Sequence, residues 1–210
     1  MDLQNWYSLL GSQIKETAFL QWIAVSFGVA QVLLARKNNI WLYPAGIVSS
    51  FLSIILLIEV QLYAESLLSM YYVVMSIYGW IFWTSTNQAE PIKISYTTHN
   101  EWMIAGGIVF GGWAILYFAL KQFTNSDVPF MDAWVSATAY AGTWLLARRK
   151  IENWILLNIS NAFAIPLLFY KNLPLFAFLT IFLFGVAIWG FLEWKKLYNE
   201  DNLLLNQEKR

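Results

Sequence analysis

Six residues between positions 63 and 83 carry groups that could handle a polar solute inside an otherwise apolar segment. Glu65, Ser69, Tyr72, Ser76, Gly79 and Trp83 fall at steps of 4, 3, 4, 3 and 4, which puts them on one face of an α-helix. Leu67, Leu68, Val73, Val74, Ile77 and Ile81 occupy the other faces. A carboxylate, hydroxyls and aromatic rings are costly to expose to hydrocarbon, so this stripe is expected to face the inside of a helix bundle. Glu65 together with Tyr72 reads as part of a solute pathway, although Glu65 also suits a boundary position with access to water. Ser76 and Gly79 fit a pathway or a close helix–helix approach equally well. Further polar faces follow at helical spacing: Gln21, Ala24, Gly28 and Gln31; Asp132, Ser136, Tyr140 and Thr143; Trp154, Asn158, Asn161 and Ile165. An amide within a membrane span needs a partner, because unsatisfied polar groups are expensive in hydrocarbon. Asn158 and Asn161 are therefore the leading candidates for substrate contact, with helix-to-helix bonding as the alternative. The full candidate binding set is Gln31, Glu65, Tyr72, Ser76, Tyr140, Thr143, Asn158 and Asn161. Asp132 and Glu101 sit at helix N-termini, where a carboxylate complements the helix dipole, and read as structural.

The elements that must position these groups are long apolar helices. Of 210 residues, 59% are hydrophobic, 18% aromatic and 12% charged. Soluble domains carry about 25% charged residues, so the composition is that of an integral membrane protein with no soluble appendage. A net charge of zero gives no case for a nucleic-acid partner. Twelve tryptophans suit the aromatic belts of a bilayer, and Trp41, Trp83, Trp154 and Trp194 are expected at the inner boundary. No cleavable signal peptide is evident at the N-terminus. Residues 1–18 are too polar to span, and Leu3, Trp6, Tyr7, Leu10 and Ile14 predict an interfacial helix. Seven spans are expected, over about 19–35, 40–58, 63–83, 101–120, 130–147, 153–170 and 175–194, with a charged tail from 196 to 210. Gly107 and Gly111 in the fourth form a GxxxG pattern that reads as close helix packing.

The chain repeats itself. Leu33-Leu34-Ala35-Arg36-Lys37 returns as Leu145-Leu146-Ala147-Arg148-Arg149, and Gly79-Trp80-Ile81-Phe82-Trp83 returns as Gly190-Phe191-Leu192-Glu193-Trp194. Residues 19–84 and 130–195 are thus expected to be two three-helix units, joined by residues 85–129 with the fourth helix. One linking helix restores the orientation of the second unit. The fold expected is an all-α 3+1+3 membrane bundle of two parallel repeats, an arrangement with a central site between halves. In this register Gln31 matches Thr143 and Gly28 matches Tyr140. The halves are alike in frame and unlike in polarity, which suits one asymmetric organic solute. With the N-terminus outside and the C-terminus inside, ten Lys and Arg lie inside and only Lys15, Lys121 and Lys171 outside; the positive-inside rule selects that orientation.

The segments Ala35-Arg36-Lys37-Asn38-Asn39-Ile40-Trp41-Leu42-Tyr43-Pro44, Leu62-Tyr63-Ala64-Glu65 and Ser76-Ile77-Tyr78-Gly79-Trp80, with the terminal Gly190-Phe191-Leu192-Glu193-Trp194, resemble the PnuC-type vitamin transporters. The resemblance covers about residues 19 to 194. It implies a SWEET-like bundle, often trimeric, in a bacterial inner membrane. It also implies facilitated uptake of an unphosphorylated B-type vitamin, trapped afterwards by a cytoplasmic kinase. The leading substrate is nicotinamide riboside, with thiamine as the alternative. Members specific for nicotinamide riboside tend to carry Asp where this chain has Glu65. Both vitamins contain a cationic aromatic ring that can sit against Tyr or Trp faces, and a buried carboxylate could balance its charge.

Other classes fare worse on the residues. An embedded enzyme would need a catalytic constellation. The chain has no Cys, and its one histidine, His99, lies in a polar loop. HExxH, a clustered pair of intramembrane carboxylates and a Gly-rich phosphate loop are all lacking. No cofactor or metal is expected. A non-transporting sensor or scaffold would not require polar stripes in both halves. Coupling to protons or sodium would call for intramembrane acids, and only Glu65 could serve, so uniport is expected.

Overall fold

The computed structural model describes residues 3–17, 19–59, 63–85, 93–124 and 126–208. Eight helices run in order: α1 (Leu3–Glu16), α2 (Phe19–Arg36), α3 (Leu42–Glu59), α4 (Tyr63–Thr84), α5 (His99–Phe123), α6 (Pro129–Ala147), α7 (Asn153–Tyr170) and α8 (Pro174–Glu208). Among the described residues, α2, α3, α5, α7 and α8 are long and apolar enough to cross a membrane. Helices α4 and α6, of 22 and 19 residues, carry the densest polar stripes. At 1.5 Å per residue they are still about 33 and 28 Å long. These two pack against each other, while α2 packs against α8. The polar stripes therefore meet inside the bundle. The polar tail does not leave the helix: α8 continues through 35 residues, and Tyr198 in its extension meets Tyr96 edge to face, with centroids 4.9 Å apart.

Helix α1 docks on the α7–α8 turn rather than lying free. Gln13 Nε2 donates to the Asn172 carbonyl at 2.8 Å, and its Oε1 accepts from the Leu175 amide at 3.3 Å. One side chain so ties a carbonyl of the turn and an orphan amide in the first turn of α8.

The contacts that hold the helices recur 111 positions apart. Ser49 Oγ donates to the Ala24 carbonyl at 2.8 Å, and Ser160 Oγ to that of Val135 at 2.7 Å. Asn38 and Arg149 both adopt a left-handed backbone, at φ 51° and 56°, after their helices end. The side chain of Tyr43 lies where a Cβ on Gly79 would be, and Trp154 lies where a Cβ on Gly190 would be, with approaches of 2.3 and 2.7 Å. The same offset relates Trp83 to Trp194, which cross over. Trp83 Nε1 donates to the Ala147 carbonyl at the end of α6, at 3.0 Å. Trp194 Nε1 donates to the Ala35 and Arg36 carbonyls at the end of α2, at 2.9 and 3.1 Å.

This constant offset corrects the register read from the sequence. The Leu-Leu-Ala-Arg likeness is one residue out of step. Gln31 corresponds to Gly142 rather than Thr143, Gly28 to Ala139 rather than Tyr140, and Trp154 to Tyr43. Identity of letters misleads here because helix crossings are set by which position lacks a Cβ, not by which residues look alike. The tryptophan belt also needs correction. Trp41 is exposed, but Trp154 and Trp194 are 1% and 0% exposed. They form a core cluster with Tyr43, Leu42, Leu146 and Ile151 at the end of the bundle where α6 stops and α7 starts.

That end is tied further by ion pairs and a strap. Residues 93–98 bond to the α6–α7 turn through Ser95, whose amide donates to the Arg149 carbonyl at 3.1 Å and whose carbonyl accepts from the Ile151 amide at 3.1 Å. Ile94 enters the core cluster. Thr98 and Glu101 form a capping box on α5. Glu101 also pairs with Arg148 at 3.2 Å and Lys150 at 3.0 Å, so its structural reading holds, with more partners than the helix dipole. Arg36 pairs with Glu193 at 3.2 Å and lies 3.6 Å over Trp189, and Arg149 lies 3.8 Å over Trp83. Asp132 holds Lys171 at 2.6 Å at the opposite end.

The bare surface of Gly190 should be indispensable. Gly190→Ala is expected to lower the unfolding midpoint of the detergent-solubilised protein, at a cost of about 1–3 kcal/mol for overpacking a rigid indole. Gly185→Ala, on the same helix with nothing within 4 Å of its would-be Cβ, should be neutral or stabilising by up to about 1 kcal/mol.

Candidate functional site

A cavity of about 400 Å³ opens among α2, α3, α4, α6, α7 and α8. Its polar lining comes from Gln31, Ser49, Ser50, Ser53, Ser69, Tyr72, Thr143 and Asn161, and its apolar lining includes Trp154, Leu157, Leu183 and Ala187. Small residues on α3 make the room: Ser49, Ser50 and Ser53 present hydroxyls without bulk, and two of them return bonds to helix carbonyls. Positions 111 apart face one another with unlike chemistry. Ser50 stands where the other side has Asn161, Val32 where it has Thr143, and Leu183 where it has Tyr72.

The cavity is blind at the Trp154 end. Tyr43, Trp83, Trp154 and Trp194 meet edge to face or tilted, with centroids 5.1 to 6.5 Å apart, and Trp83 and Trp194 are fastened to opposite helix ends as described above. Towards the other end it continues into a wider space of about 780 Å³ that shares Ser49, Ser53, Ser69 and Leu183. Gln21, Gly28 and Phe176 line this vestibule, and Glu59 places a carboxylate at its rim. No Lys, Arg or His lines either space among the described residues. A cation entering this way would pass the Glu59 carboxylate and meet no cationic side chain among the described residues.

A family model for nicotinamide mononucleotide transporters matches residues 18–196. The chain belongs to this family. It is a multi-pass membrane protein and a transporter. It is similar to the nicotinamide riboside transporter PnuC of Escherichia coli K12, at 24% identity over 205 residues, covering 83% of this chain and 85% of that one. The PnuC of Shigella flexneri matches with the same figures. A crystal structure described as the vitamin B3 transporter PnuC has the same fold, with a TM-score of 0.69, 21% identity and coverage of 93% of this chain and 90% of the other.

Within this transporter fold the eight candidate residues divide. Gln31, Tyr72, Thr143 and Asn161 line the central cavity. Tyr140 stands behind Tyr72, its ring 5.3 Å away in a cluster with Tyr71, whose hydroxyl donates to the Tyr140 carbonyl at 2.9 Å. Ser76 is buried at the α3–α4 contact beside Gly46 and outside the cavity lining. The Glu65 side chain lies outside the described residues. Asn158 lines a different pocket of about 340 Å³ between α7 and α8, with Ile155, Ile159, Ile188 and Phe191. Its Oδ1 is buried and has no hydrogen-bond partner among the described residues.

Sequence reasoning overlooked Ser49, Glu59 and Trp154 as lining residues. Ser49 lies one position before Ser50 and four before Ser53, and a helix face wide enough for a cavity takes in all three. Trp154 was assigned to a belt because aromatic residues at span ends usually occupy one. Only its seat on Gly190 turns it inward.

The two asparagines should separate by function. Asn161→Ala is expected to weaken binding of the transported solute by about tenfold through one lost hydrogen bond. Asn158→Ala should leave binding within about twofold. Titration calorimetry on the purified variants checks both.

Proposed function

We propose that this protein is a uniporter for nicotinamide riboside, taken up unphosphorylated and retained when a cytoplasmic kinase phosphorylates it. The observation that carries the reading is the central cavity with unlike walls and, among the described residues, no cationic lining. A phosphate dianion stripped of water there would have no Lys or Arg to pair with. This argues for the riboside over the mononucleotide of the family's description. The pyridinium ring fits against Tyr72 and Trp154, whose faces attract cations with about 0.5–2 kcal/mol each. The serines and Thr143 suit the ribose hydroxyls, and Gln31 and Asn161 suit the carboxamide. Relatives named for nicotinamide riboside favour it over thiamine.

The proposed architecture is the 3+1+3 bundle. Helices α2–α4 and α6–α8 form the two parallel units, and α5 links them, with the N-terminus outside and the C-terminus inside. The contacts spaced 111 residues apart support it, as does the excess of Lys and Arg at the end sealed by Trp83 and Trp194. On this orientation the cavity opens outwards and the aromatic seal is the inner gate. Transport then follows from rocking of one unit against the other, breaking the crossed tryptophan bonds. Residues 1–18 serve as an interfacial segment and 196–210 as a cytoplasmic extension.

Assembly as a homotrimer through α5 is part of the proposal. Gly106, Gly107 and Gly111 on that helix meet nothing within 4 Å of a would-be Cβ, although glycines in membrane helices commonly let another helix approach. Native mass spectrometry should find trimers of the wild type and monomers of the Gly107→Leu, Gly111→Leu variant. A monomeric wild type would remove this element.

Proteoliposome uptake tests the substrate. Nicotinamide riboside should enter saturably, and its rate should ignore imposed pH and sodium gradients. Nicotinamide mononucleotide and thiamine should not compete. Competition by the mononucleotide, or a flux that follows either gradient, would overturn the reading.

A further inference from the structure

The α2–α3 and α6–α7 pairs cross at equivalent levels, and a glycine stands at each crossing; on α2, Gly28 also meets Ser49 Oγ at 3.1 Å from its would-be Cβ. In the first pair the glycine is Gly46 on α3, and the side chain filling the space belongs to Gln31 on α2. A Cβ on Gly46 would lie 2.7 Å from Gln31 Nε2, 2.8 Å from its Cδ and 2.9 Å from Ser76 Oγ. In the second pair the glycine is Gly142 on α6, and the filler is Leu157 on α7. A Cβ on Gly142 would lie 2.9 Å from Leu157 Cγ, 3.0 Å from its Cδ2 and 3.2 Å from its backbone nitrogen, so here the α7 backbone itself comes close. Gln31 corresponds to Gly142 and Gly46 to Leu157 at the 111-residue offset. Both fillers, Gln31 and Leu157, line the cavity. The same steric problem is thus solved twice with the roles of the helices exchanged, once by an amide and once by a hydrocarbon.

We infer that Gly46 is a positioning residue for substrate selectivity: its missing Cβ is the cradle that lays the Gln31 amide across α3 into the cavity, opposite the apolar Leu157. The exchange makes the two crossings unlike. At this level a solute finds the Gln31 amide on the α2 wall and Leu157 on the α7 wall, whose own amide, Asn161, lies one turn further along. Nothing in the packing demands Gln at position 31, because the second crossing closes equally well with the glycine on the other helix. The amide is therefore available for recognition, and Gly46 is what keeps it in place. The atoms that a Cβ at 46 would strike are the far end of the Gln31 chain and a serine hydroxyl. A small substitution at 46 accordingly displaces the amide before it disturbs the helices.

The inference rests on the nicotinamide riboside reading for its ligand, and the test separates the two. Gly46→Leu alone should lower the unfolding midpoint markedly. Gln31→Gly with Gly46→Leu, which copies the second crossing into the first, should recover most of that loss. The rescued double variant should bind nicotinamide riboside about tenfold or more weakly than wild type, the cost of one lost polar contact in a desolvated site. The single variant Gly46→Ala should weaken binding to a similar degree with little change in midpoint, and adding it to Gln31→Ala should weaken binding no further.

Failure of the Gln31→Gly change to rescue Gly46→Leu would overturn the steric pairing. A rescued variant that binds like wild type would overturn the recognition role. So would independent, multiplying effects of Gly46→Ala and Gln31→Ala. A wild-type protein that binds no nicotinamide riboside would overturn the substrate reading and the recognition role with it, while the stability cycle would still decide the pairing.

Discussion

Two aromatic rings seated on two bare glycines govern the rest of this bundle. Tyr43 occupies the space a Cβ would take on Gly79, and Trp154 does the same on Gly190. Each ring can enter only because a helix passes it without side chains. Once seated, the rings bring Trp83 and Trp194 within reach of the last carbonyls of α6 and α2. Those carbonyls stand at helix ends, where intrahelical donors run out, and the Ala35 carbonyl also accepts from the Asn38 amide at 2.9 Å. An indole N–H that satisfies one from another helix closes the end of the bundle with little area and much specificity.

Everything above the seal follows from it. With the helices pinned at one end, their polar faces converge at mid-depth, where α3 contributes only small residues and leaves a cavity. The charged residues are spent at the sealed end, on Glu101 with Arg148 and Lys150 and on Arg36 with Glu193. None remains to line the cavity among the described residues. A neutral, hydroxyl-rich and amide-bearing chamber with aromatic faces results, with a carboxylate at its rim. That combination suits a flat organic cation and offers a phosphate no cationic partner among the described residues, and it underlies the substrate proposed here over its phosphorylated form.

The near-symmetry of the chain matters chiefly through its departures. The same crossing is filled by Gln31 on one side and Leu157 on the other, and Asn161 faces a position held by Ser50. Symmetry of frame lets two halves close on one site. Asymmetry of lining lets that site tell one end of a solute from the other.

Composition and helical periodicity by themselves determined that the chain is a membrane bundle, because so few charges and such long apolar runs leave no other solvent for it. They also determined the helix order to within a few residues, and four of the eight candidate lining residues, since a polar stripe in a span must turn inward. The internal likeness was legible too, but its register was not. Letter identity placed Gln31 against Thr143, whereas the tertiary contacts placed it against Gly142. Only the tertiary structure decided which face of α7 matters. Asn158 and Asn161 are three residues apart and look equivalent in sequence, yet α7 and α8 pack so that one lines the cavity and the other a separate pocket. It likewise turned Trp154 from an expected belt residue into the floor of the site. The reason is the same in each case: a helix's periodicity says which residues share a face, but the missing Cβ on a neighbouring helix decides where that face can go.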